Sequence, residues 1–511
     1  MGPGIAKTDK FLVAAIIIAI AYFSYLAFVY NYRFVTFQEG FYDIGIQTYS
    51  MYWHLHGSQY TNPSQYLVFG NHISPFFLLV LPLFAVHQDA ITLVFVQDMF
   101  LALTAVAVYF VSRELIRSKW MSFGFFAIFV VSTGVRGLTT FDFHVEAFAP
   151  LFVILAFYFY MKEKPLYFFI SYIFLLSLVE TSFAIGLSLL LGLLAYEMIY
   201  TTNSVGSAHR NREKRLKIIG AGIVLSLFAF GIYFVAMSYI IGSYSGTSYT
   251  IVPPYLRPIN YLFGQLNVVL ATLQTAQQNA FVQYQNISGI IVVFLSFGIT
   301  VFGSIVPTLL FLSPWIVEVF IVHNYAFAYP SYQYYGYVEG NCFVAALLGY
   351  IVLSAMSTLT SRTFGFNSQN IIRRLAPAIV ITSLMVSLFT LGSFSLQSFV
   401  PYGAPHLNYS SVSSGIAMVP ANAVVMAQST IASHMTDVYN LEQPPTAYPV
   451  FFEPINTSVF WTEPQYIVFD KDLPGYQSEF NTSAFDIYGY MSKNYTEVYN
   501  SSGLYVYKRV A

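Results

Sequence analysis

Long apolar runs without charged residues restrict the fold of this chain more than any other feature. The first covers residues 11–30, about 20 residues without Asp, Glu, Lys or Arg, which is the length an α-helix needs to cross a bilayer. Similar runs recur over the first 400 residues, and only 9% of all residues are charged, against roughly 25% in soluble domains. The sequence therefore predicts an all-α polytopic membrane domain over residues 1–399, and it excludes a soluble enzyme.

Eleven of these runs have about the length of a membrane span, so we predict about eleven transmembrane helices. They cover residues 11–30, 91–112, 120–137, 147–161, 165–182, 184–200, 218–241, 288–305, 307–322, 342–359 and 375–397. A further run at residues 73–86 is short and contains Pro75 and Pro82, so we expect an interfacial or re-entrant helix there. If that run spans instead, every later helix inverts its direction.

The positions of Lys and Arg predict the orientation, because these residues concentrate in cytoplasmic loops. With a cytoplasmic N-terminus, the interior segments hold Lys7, Lys10, Arg113, Arg117, Lys119, Lys162, Lys164, Arg210, Arg212, Lys214, Arg215, Lys217, Arg362, Arg373 and Arg374. The exterior loops then lie at about 31–90, 138–146, 242–287 and 323–341. The sequence thus predicts a multi-pass protein of the cell membrane with an extracytoplasmic C-terminus. Its main partner is the lipid bilayer, and a net charge of −1 gives no indication of nucleic acid.

Asn-x-Ser/Thr sequons give an independent indication of the same topology. All of them fall on the exterior side, where glycosylation occurs. These candidate glycosylation sites are Asn286, Asn408, Asn456, Asn481, Asn494 and Asn500.

Residues 400–511 differ in kind from the rest, because they contain no span. Short β-like runs at 423–428, 465–470 and 504–508, with a helix-compatible stretch at 429–439, predict a small soluble α/β domain on the exterior side. The single cysteine, Cys342, excludes an intramolecular disulfide, and we expect it to be a small apolar residue within a helix.

Ionisable side chains in the predicted exterior loops are the candidate functional residues, because such groups are costly near a bilayer. The strongest candidates are Asp43, His72, Asp142, His144, Glu146 and Glu180, with Asp98, Glu318 and Glu339 as weaker ones. Arg136 and Arg257 supply positive charge near the exterior face. We expect the six strongest candidates to converge at the exterior membrane boundary and to bind one ligand.

The spacing Asp142-x-His144-x-Glu146 admits two interpretations. In an extended segment all three side chains point to one side, where they could ligate a divalent metal such as Mg or Mn, or bind sugar hydroxyls. The alternative is a capping cluster at the start of the next helix. Asp43, which lies between aromatic residues and a glycine, is likewise either a functional acid or a helix cap.

Several motifs resemble those of an uncharacterised prokaryotic membrane family, domain of unknown function 2079. They are the segments at 41–47, 71–75 and 141–146, the surroundings of Glu180, and the tail segments 419–428 and 466–470. The chain departs from the family pattern at Val145, Val179 and Thr181. That family is similar in layout to GT-C glycosyltransferases, which use polyprenyl-phosphate sugars as donors. The resemblance implies Asp43 as the counterpart of their catalytic acid residue.

Two kinds of function follow from these observations. The first is a membrane glycosyltransferase that moves a sugar from a polyprenyl-phosphate donor to an exterior glycolipid, glycan or protein. Asp43 would be its base, and Arg136, Arg257, the histidines or a metal would bind the phosphate. The second is a transporter, or an envelope receptor or assembly protein, with an acidic exterior ligand site. A transporter predicts ionisable residues deep within several spans.

Overall fold

The structure is a computed structural model of the chain. It describes residues 9–40, 44–57, 73–179, 181–201, 207–244, 292, 297–320, 336, 338–364, 377–383, 385–386, 409–438, 440–442, 464–473, 476–480, 487–491 and 494–510.

The first 400 residues are mainly α-helical in their described part. The helices are α1 (Lys10–Val35), α2 (Ile46–His56), α3 (Phe77–Val86), α4 (Ala90–Ile116), α5 (Lys119–Val131), α6 (Thr133–Thr140), α7 (Ala149–Met161), α8 (Pro165–Leu176), α9 (Ser182–Tyr200), α10 (Ser207–Tyr244), α11 (Ile305–Phe311), α12 (Ser313–Phe320) and α13 (Glu339–Phe364). Short 3₁₀ helices cover Val145–Phe148 and Gly298–Ser304.

Side-chain caps explain where several of these helices begin. The Asp9 carboxylate accepts a hydrogen bond from the Phe11 amide, and Asp89 accepts one from Ile91. Ser118 and Ser132 act in the same way at the starts of α5 and α6. Each cap satisfies a backbone N–H group that has no partner within its helix.

Five helices of the described chain are long and apolar enough to cross a membrane. They are Lys10–Val35, Ala90–Ile116, Ser182–Tyr200, Asn211–Ala236 and Glu339–Met356. A sixth span arises if α5 and α6, which meet at a 43° bend, are counted together. The apolar helices Phe77–Val86, Val145–Met161, Pro165–Leu176 and Thr300–Phe311 are shorter. The chain is therefore a helical membrane protein with several spans, although the described residues do not reach the predicted eleven.

One end of the helix bundle, here called the basic end, joins four of the basic segments. Asp9 lies 3.8 Å from Arg113 and 3.5 Å from Lys119, and Lys162 pairs with Glu114 at 2.8 Å. At the neighbouring helix ends, Glu197 accepts a hydrogen bond from Tyr160 and pairs with Arg215 at 2.9 Å. These contacts place the segments at 9–10, 113–119, 160–164, 197–201 and 211–217 on the same side of the bundle, as the distribution of Lys and Arg predicts.

Glycines allow a close crossing between α13 and the 3₁₀ helix at Gly298–Ser304. A Cβ atom on Gly349 of α13 would overlap the carbonyl oxygen of Thr300, and one on Gly303 would overlap the carbonyl oxygen of Gly349. Small residues at both positions let the two backbones touch, which is a common way to pack helices in membranes. Cys342 lies on the same helix and is buried, in line with the apolar role expected for it.

The C-terminal part is a small mixed α/β unit, here called the sheet domain. Its elements are α14 (Tyr409–Ile416), β1 (Val424–Ala427), α15 (Ser429–Ala432), β2 (Asn440–Glu442), β3 (Tyr466–Asp470), α16 (Tyr476–Glu479), α17 (Ile487–Met491), β4 (Tyr495–Ser501) and β5 (Leu504–Arg509). The strand order is β2-β1-β3-β5-β4. The first three strands in that order are parallel, and the pairs β3–β5 and β5–β4 are antiparallel.

The sheet domain is attached to the bundle at the end opposite the basic end, here called the sheet end. One apolar core of the domain includes Phe37, Ile46 and Tyr49, which come from the segment after α1, together with sheet residues such as Val425 and Val468. The second apolar core, around Phe469 and Tyr476, lies on the other face of the sheet. The segment that follows the first membrane helix is thus folded into the sheet domain.

Candidate functional site

The structure describes about half of the residues predicted to form the site. Arg136, Asp142, His144 and Glu146 are described, whereas Asp43, His72, Glu180 and Arg257 lie outside the described residues. Among the predicted glycosylation sites, Asn494 and Asn500 are described and exposed, and Asn286, Asn408, Asn456 and Asn481 lie outside the described residues.

The segments that carry the motifs nevertheless meet through their described parts. The Phe76 amide donates a hydrogen bond of 3.0 Å to the carbonyl oxygen of Ser177, so the segment after residue 72 contacts the segment before residue 180. The Phe76 ring lies 5.0 Å from that of Phe148, and the Phe77 ring lies 6.1 Å from that of Phe143. Three motif segments, far apart in sequence, therefore pack together at the sheet end.

Asp142 connects the motif segment at residues 141–146 to the end of α1. The Tyr30 hydroxyl donates a 2.6 Å hydrogen bond to Oδ1 of Asp142. Arg33, one turn further along α1, donates to the Thr140 carbonyl oxygen at 3.3 Å and forms an ion pair with Glu39. The Glu39 carboxyl lies within hydrogen-bonding reach of Asp142. Two carboxyl groups, one guanidinium and one phenol thus form a single polar cluster.

Glu39 is a member of the cluster that the sequence did not single out. Burial raises the pKa of Glu39 well above its usual value, the Asp142 carboxylate raises it further, and Arg33 opposes the rise. Glu39 lies four residues before Asp43 and directly after the first span. An acidic residue at that position, near the bilayer, is a sequence feature that marks a candidate functional residue. The contacts of Tyr30 and Arg33 join residues more than 100 positions apart, and no local pattern indicates them.

The second predicted loop is held in place by Gln97 of α4. Its side-chain amide donates to the Leu138 carbonyl oxygen at 2.9 Å, and its oxygen accepts from the His144 amide at 2.8 Å. His144 has an extended backbone, but Glu146 already belongs to the 3₁₀ helix. The extended segment that would direct Asp142, His144 and Glu146 to one side therefore ends before Glu146.

The described residues offer no donor set for a divalent metal. Within the described ranges, no three His, Cys, Asp or Glu side chains are grouped so that they could hold a metal ion. Neither the Mg nor the Mn hypothesis gains support from the described geometry.

Other ionisable residues are buried within the membrane helices. Arg136, expected near the exterior face, is only 6% exposed in α6, and all eight residues of this helix are buried. The Glu339 carboxylate accepts from the Gly134 amide at 2.9 Å near the start of α6. Asp98 in α4 is 2% exposed, and neither of its carboxylate oxygens has a hydrogen-bond partner within the described part of the chain. The side chain of Glu318 lies outside the described residues.

The sheet domain lies next to the polar cluster. The His434 ring stacks on the Phe34 ring and lies against the tilted ring of Phe37. A cavity of about 320 Å³ beside it is lined by Asn31, Phe34, Val35, Phe37, His87, Asp89, Ile91, Ser413 and His434. Burial lowers the pKa of His434 to about 4, so its imidazole is neutral near pH 7. The site is consequently built from both parts of the chain.

Comparison with known proteins gives one family. The sequence model of DUF2079, described as a predicted membrane protein, matches residues 33–506. No curated protein matches the sequence.

Proposed function

The chain belongs to the DUF2079 family of predicted membrane proteins, and from this premise we propose that it is a membrane glycosyltransferase of GT-C type. It transfers a sugar from a polyprenyl-phosphate donor to an exterior acceptor, which is a glycolipid, a glycan or a protein. Its layout is a bundle of about eleven spans with the N-terminus in the cytoplasm and the sheet domain outside.

One observation carries this proposal. The segment that follows the first membrane helix approaches the loop at residues 141–144, and together they form the polar cluster of Tyr30, Arg33, Glu39 and Asp142 beside the sheet domain. Buried carboxyl groups at a membrane boundary are costly to maintain and commonly mark a ligand site. This segment also leads directly into Asp43, the residue that the family resemblance implies as the base.

The chemistry requires a base and a group that stabilises the leaving phosphate. In the proposed step the acceptor hydroxyl oxygen bonds to the anomeric carbon, and its proton passes to the Asp43 carboxylate. The bond between the anomeric carbon and the phosphate oxygen breaks, and its electron pair leaves with the phosphate. Arg257 and His72 are proposed to bind that phosphate, and Asp142, His144, Glu146 and Glu180 to bind sugar hydroxyls.

Arg136 has a different place in this proposal. Because it is buried in α6, it contributes positive charge from inside the bundle rather than from the surface. Such a charge, poorly screened by water, acts on a phosphate over a longer distance than a solvated one.

The experiment compares transfer by Asp43→Asn with transfer by the wild type. Purified protein is assayed with labelled polyprenyl-phosphate sugars and native membrane extract as the acceptor. Loss of the base lowers the rate by about 10²- to 10⁴-fold, whereas a helix cap tolerates Asn. The matched control is Glu114→Gln at the basic end. It removes the exposed ion pair between Glu114 and Lys162, and we expect transfer to be unchanged. Rapid transfer by Asp43→Asn would show that Asp43 is structural, and no transfer by the wild type would contradict the transferase.

Asp98 supports a second candidate, transport of a ligand or of protons across the membrane. An acid within a span, with neither oxygen hydrogen-bonded in the described chain, is typical of proton and ion pathways. If the chain is a transporter, Asp98→Asn should abolish uptake in reconstituted vesicles, and the wild type should show no sugar transfer. The transferase predicts no uptake by the wild type at all.

The proposed orientation is tested by labelling with a membrane-impermeant thiol reagent. Asn500→Cys in the sheet domain and Glu163→Cys at the basic end are placed separately in a Cys342→Ala background. We expect the thiol at position 500 to be labelled only from outside and the thiol at position 163 only from the cytoplasmic side. The reverse pattern would invert the topology.

A further inference from the structure

The segment directly after β1 lies where open α/β sheets usually bind ligands. In such sheets the crevice beyond the carboxyl ends of the parallel strands is the common ligand site. Here β1 ends at Ala427, and α15 with the two residues after it, Ser433 and His434, follows immediately. This segment contacts the end of α1 and residues 36–40, here called the entry loop.

His434 makes the central contact. Its ring stacks on Phe34 at 4.2 Å between centroids and 25° between planes, and it lies 4.1 Å from the Phe37 ring. Nε2 of His434 donates a 2.9 Å hydrogen bond to the carbonyl oxygen of Phe34. That carbonyl belongs to the last turn of α1, beyond the reach of the amides within the helix, and it also accepts a 2.9 Å hydrogen bond from the Phe37 amide of the entry loop. His434 therefore caps the C-terminal end of the first membrane helix from the sheet domain.

Two further contacts hold the entry loop. The Ser433 hydroxyl donates to the Thr430 carbonyl oxygen at 2.9 Å and shares its proton with the carbonyl oxygen of Glu39 at 3.3 Å. A Cβ atom on Gly40 would lie only 3.1 Å from Oγ of Ser429, so the Ser429 side chain packs closely against the Gly40 backbone.

Phe37 shows that the entry loop depends on this docking. Its φ of 56° is in the left-handed region, which is rare for a bulky side chain. The same side chain is 2% exposed within the core of the sheet domain. Strained backbone persists where surrounding packing holds it, and here the packing comes from residues about 400 positions later in the sequence.

We propose that the sheet domain is a fixed part of the candidate active site and that His434 is a positioning residue for the entry loop. The domain sets the conformation of the backbone that carries Glu39 and leads into Asp43. The activity readout rests on the proposed transferase, whereas cross-linking and hydrogen exchange do not.

The first test locks the docking with a disulfide. Gly40→Cys and Ser429→Cys are combined in a Cys342→Ala background, because a Cβ atom at position 40 would lie 3.1 Å from Oγ of Ser429, the place that the second sulfur atom would take. We expect the oxidised protein in native membranes to contain the linked peptides and to transfer sugar at the wild-type rate within twofold. Each single-cysteine variant is the matched control. Failure to cross-link would overturn the docking, and transfer that returns only on reduction would show that the domain must move.

The second test separates positioning from folding. His434→Phe keeps the stacking and loses the hydrogen bond, whereas His434→Asn keeps a donor and loses the stacking. A loop displaced by about 1 Å is expected to lower kcat by up to about 10²-fold, with KM for the donor changed less than kcat. Hydrogen exchange of residues 36–40 should rise in both variants while that of α4 stays constant. Unchanged exchange in the entry loop would contradict the assignment, whether or not the protein transfers sugar.

Discussion

The Tyr30 hydroxyl and the Asp142 carboxylate, 112 residues apart in sequence, are joined by a hydrogen bond of 2.6 Å. Tyr30 is 1% exposed, so water cannot replace this bond if either partner is removed. The contact ties the first membrane helix to the loop that follows α6, and the geometry of the polar cluster depends on it.

Removing the Tyr30 hydroxyl should therefore destabilise the protein without creating a large cavity. Hydrogen bonds to charged groups contribute about 1.5–3 kcal/mol, so we expect Tyr30→Phe to lower the free energy of unfolding by that amount. The measurement is thermal unfolding of the purified full chain in detergent. Tyr32→Phe on the same helix, at a side chain that is 37% exposed, serves as the control and should change little.

Gln97 should control the order of the loop at residues 141–144. Gln97→Leu has a similar size but leaves the Leu138 carbonyl oxygen and the His144 amide without this partner, at about 1–3 kcal/mol for each buried group. We expect faster hydrogen exchange in residues 138–146. The exposed Gln88→Leu is the comparison, and equal exchange in the two variants would show that Gln97 does not hold the loop.

The sheet domain should become less stable as the pH rises, because of Glu479. Burial raises the pKa of Glu479 to about 7, although the Ser429 amide that donates to it at 2.8 Å opposes the rise. The folded domain then binds this proton more tightly than the unfolded chain, so stability is present below about pH 4.5 and is lost as the pH rises through 7.

Glu479→Gln isolates this effect, since Gln keeps an acceptor for the Ser429 amide. At pH 8 the variant should be more stable than the wild type by at most about 3 kcal/mol, and the difference should vanish near pH 4.5. Exposed Glu497→Gln is the control. Hydrogen exchange of β3 at pH 8 and at pH 4.5 measures the stability of the variant relative to the wild type. A stability difference that is the same at both pH values would contradict the prediction. Asp470, whose pKa burial raises to about 6, acts in the same direction, whereas His434 destabilises the fold only under acidic conditions.

The glycine crossing predicts opposite effects for the same substitution at two positions. Gly349→Ala forces a methyl group against the Thr300 carbonyl oxygen and should cost about 1–3 kcal/mol. Gly220→Ala in α10 meets no atom within 4 Å and should stabilise the helix by up to about 1 kcal/mol. Unfolding in detergent compares the two, and equal effects would argue against a close crossing.

Local sequence signals predicted the parts of the fold that depend on local physics. Apolar length located α1, α4 and α9, and β-branched and aromatic residues located β1, β3 and β5. The strands β2 and β4 were missed, because three residues at 440–442 form a strand only by pairing with β1, and β4 is largely exposed.

Breaks within helices were also missed. Residues 120–137 read as one span, but Ser132 caps a new helix and bends the segment by 43°. The run at 165–182 is a helix only to Leu176, because the Ser177 carbonyl accepts instead from Phe76 of another segment. Hydropathy averages over such polar interruptions and over long-range contacts.

For the candidate site, the sequence identified individual residues better than their partners. Asp142 does lie in a polar cluster at the C-terminal end of α1, but Tyr30, Arg33 and Glu39 were not named as its neighbours. Their contacts depend on how distant helices pack, and a single sequence carries no local trace of that packing. The convergence of Asp43, His72 and Glu180 on the cluster stays a prediction.

The hydrogen bond between Phe34 and His434 also has a consequence for biosynthesis. It joins positions 400 residues apart, and Ser433 contacts Glu39 across 394 residues. The ribosome makes the entry loop among the first segments of the chain and the residues that fix it among the last. Until then, Phe37 has no sheet-domain core in which to bury its ring. A nascent chain stalled before β1 should therefore insert its helices and still have an entry loop without its final conformation. The site is completed only after the sheet domain has been synthesised and has folded.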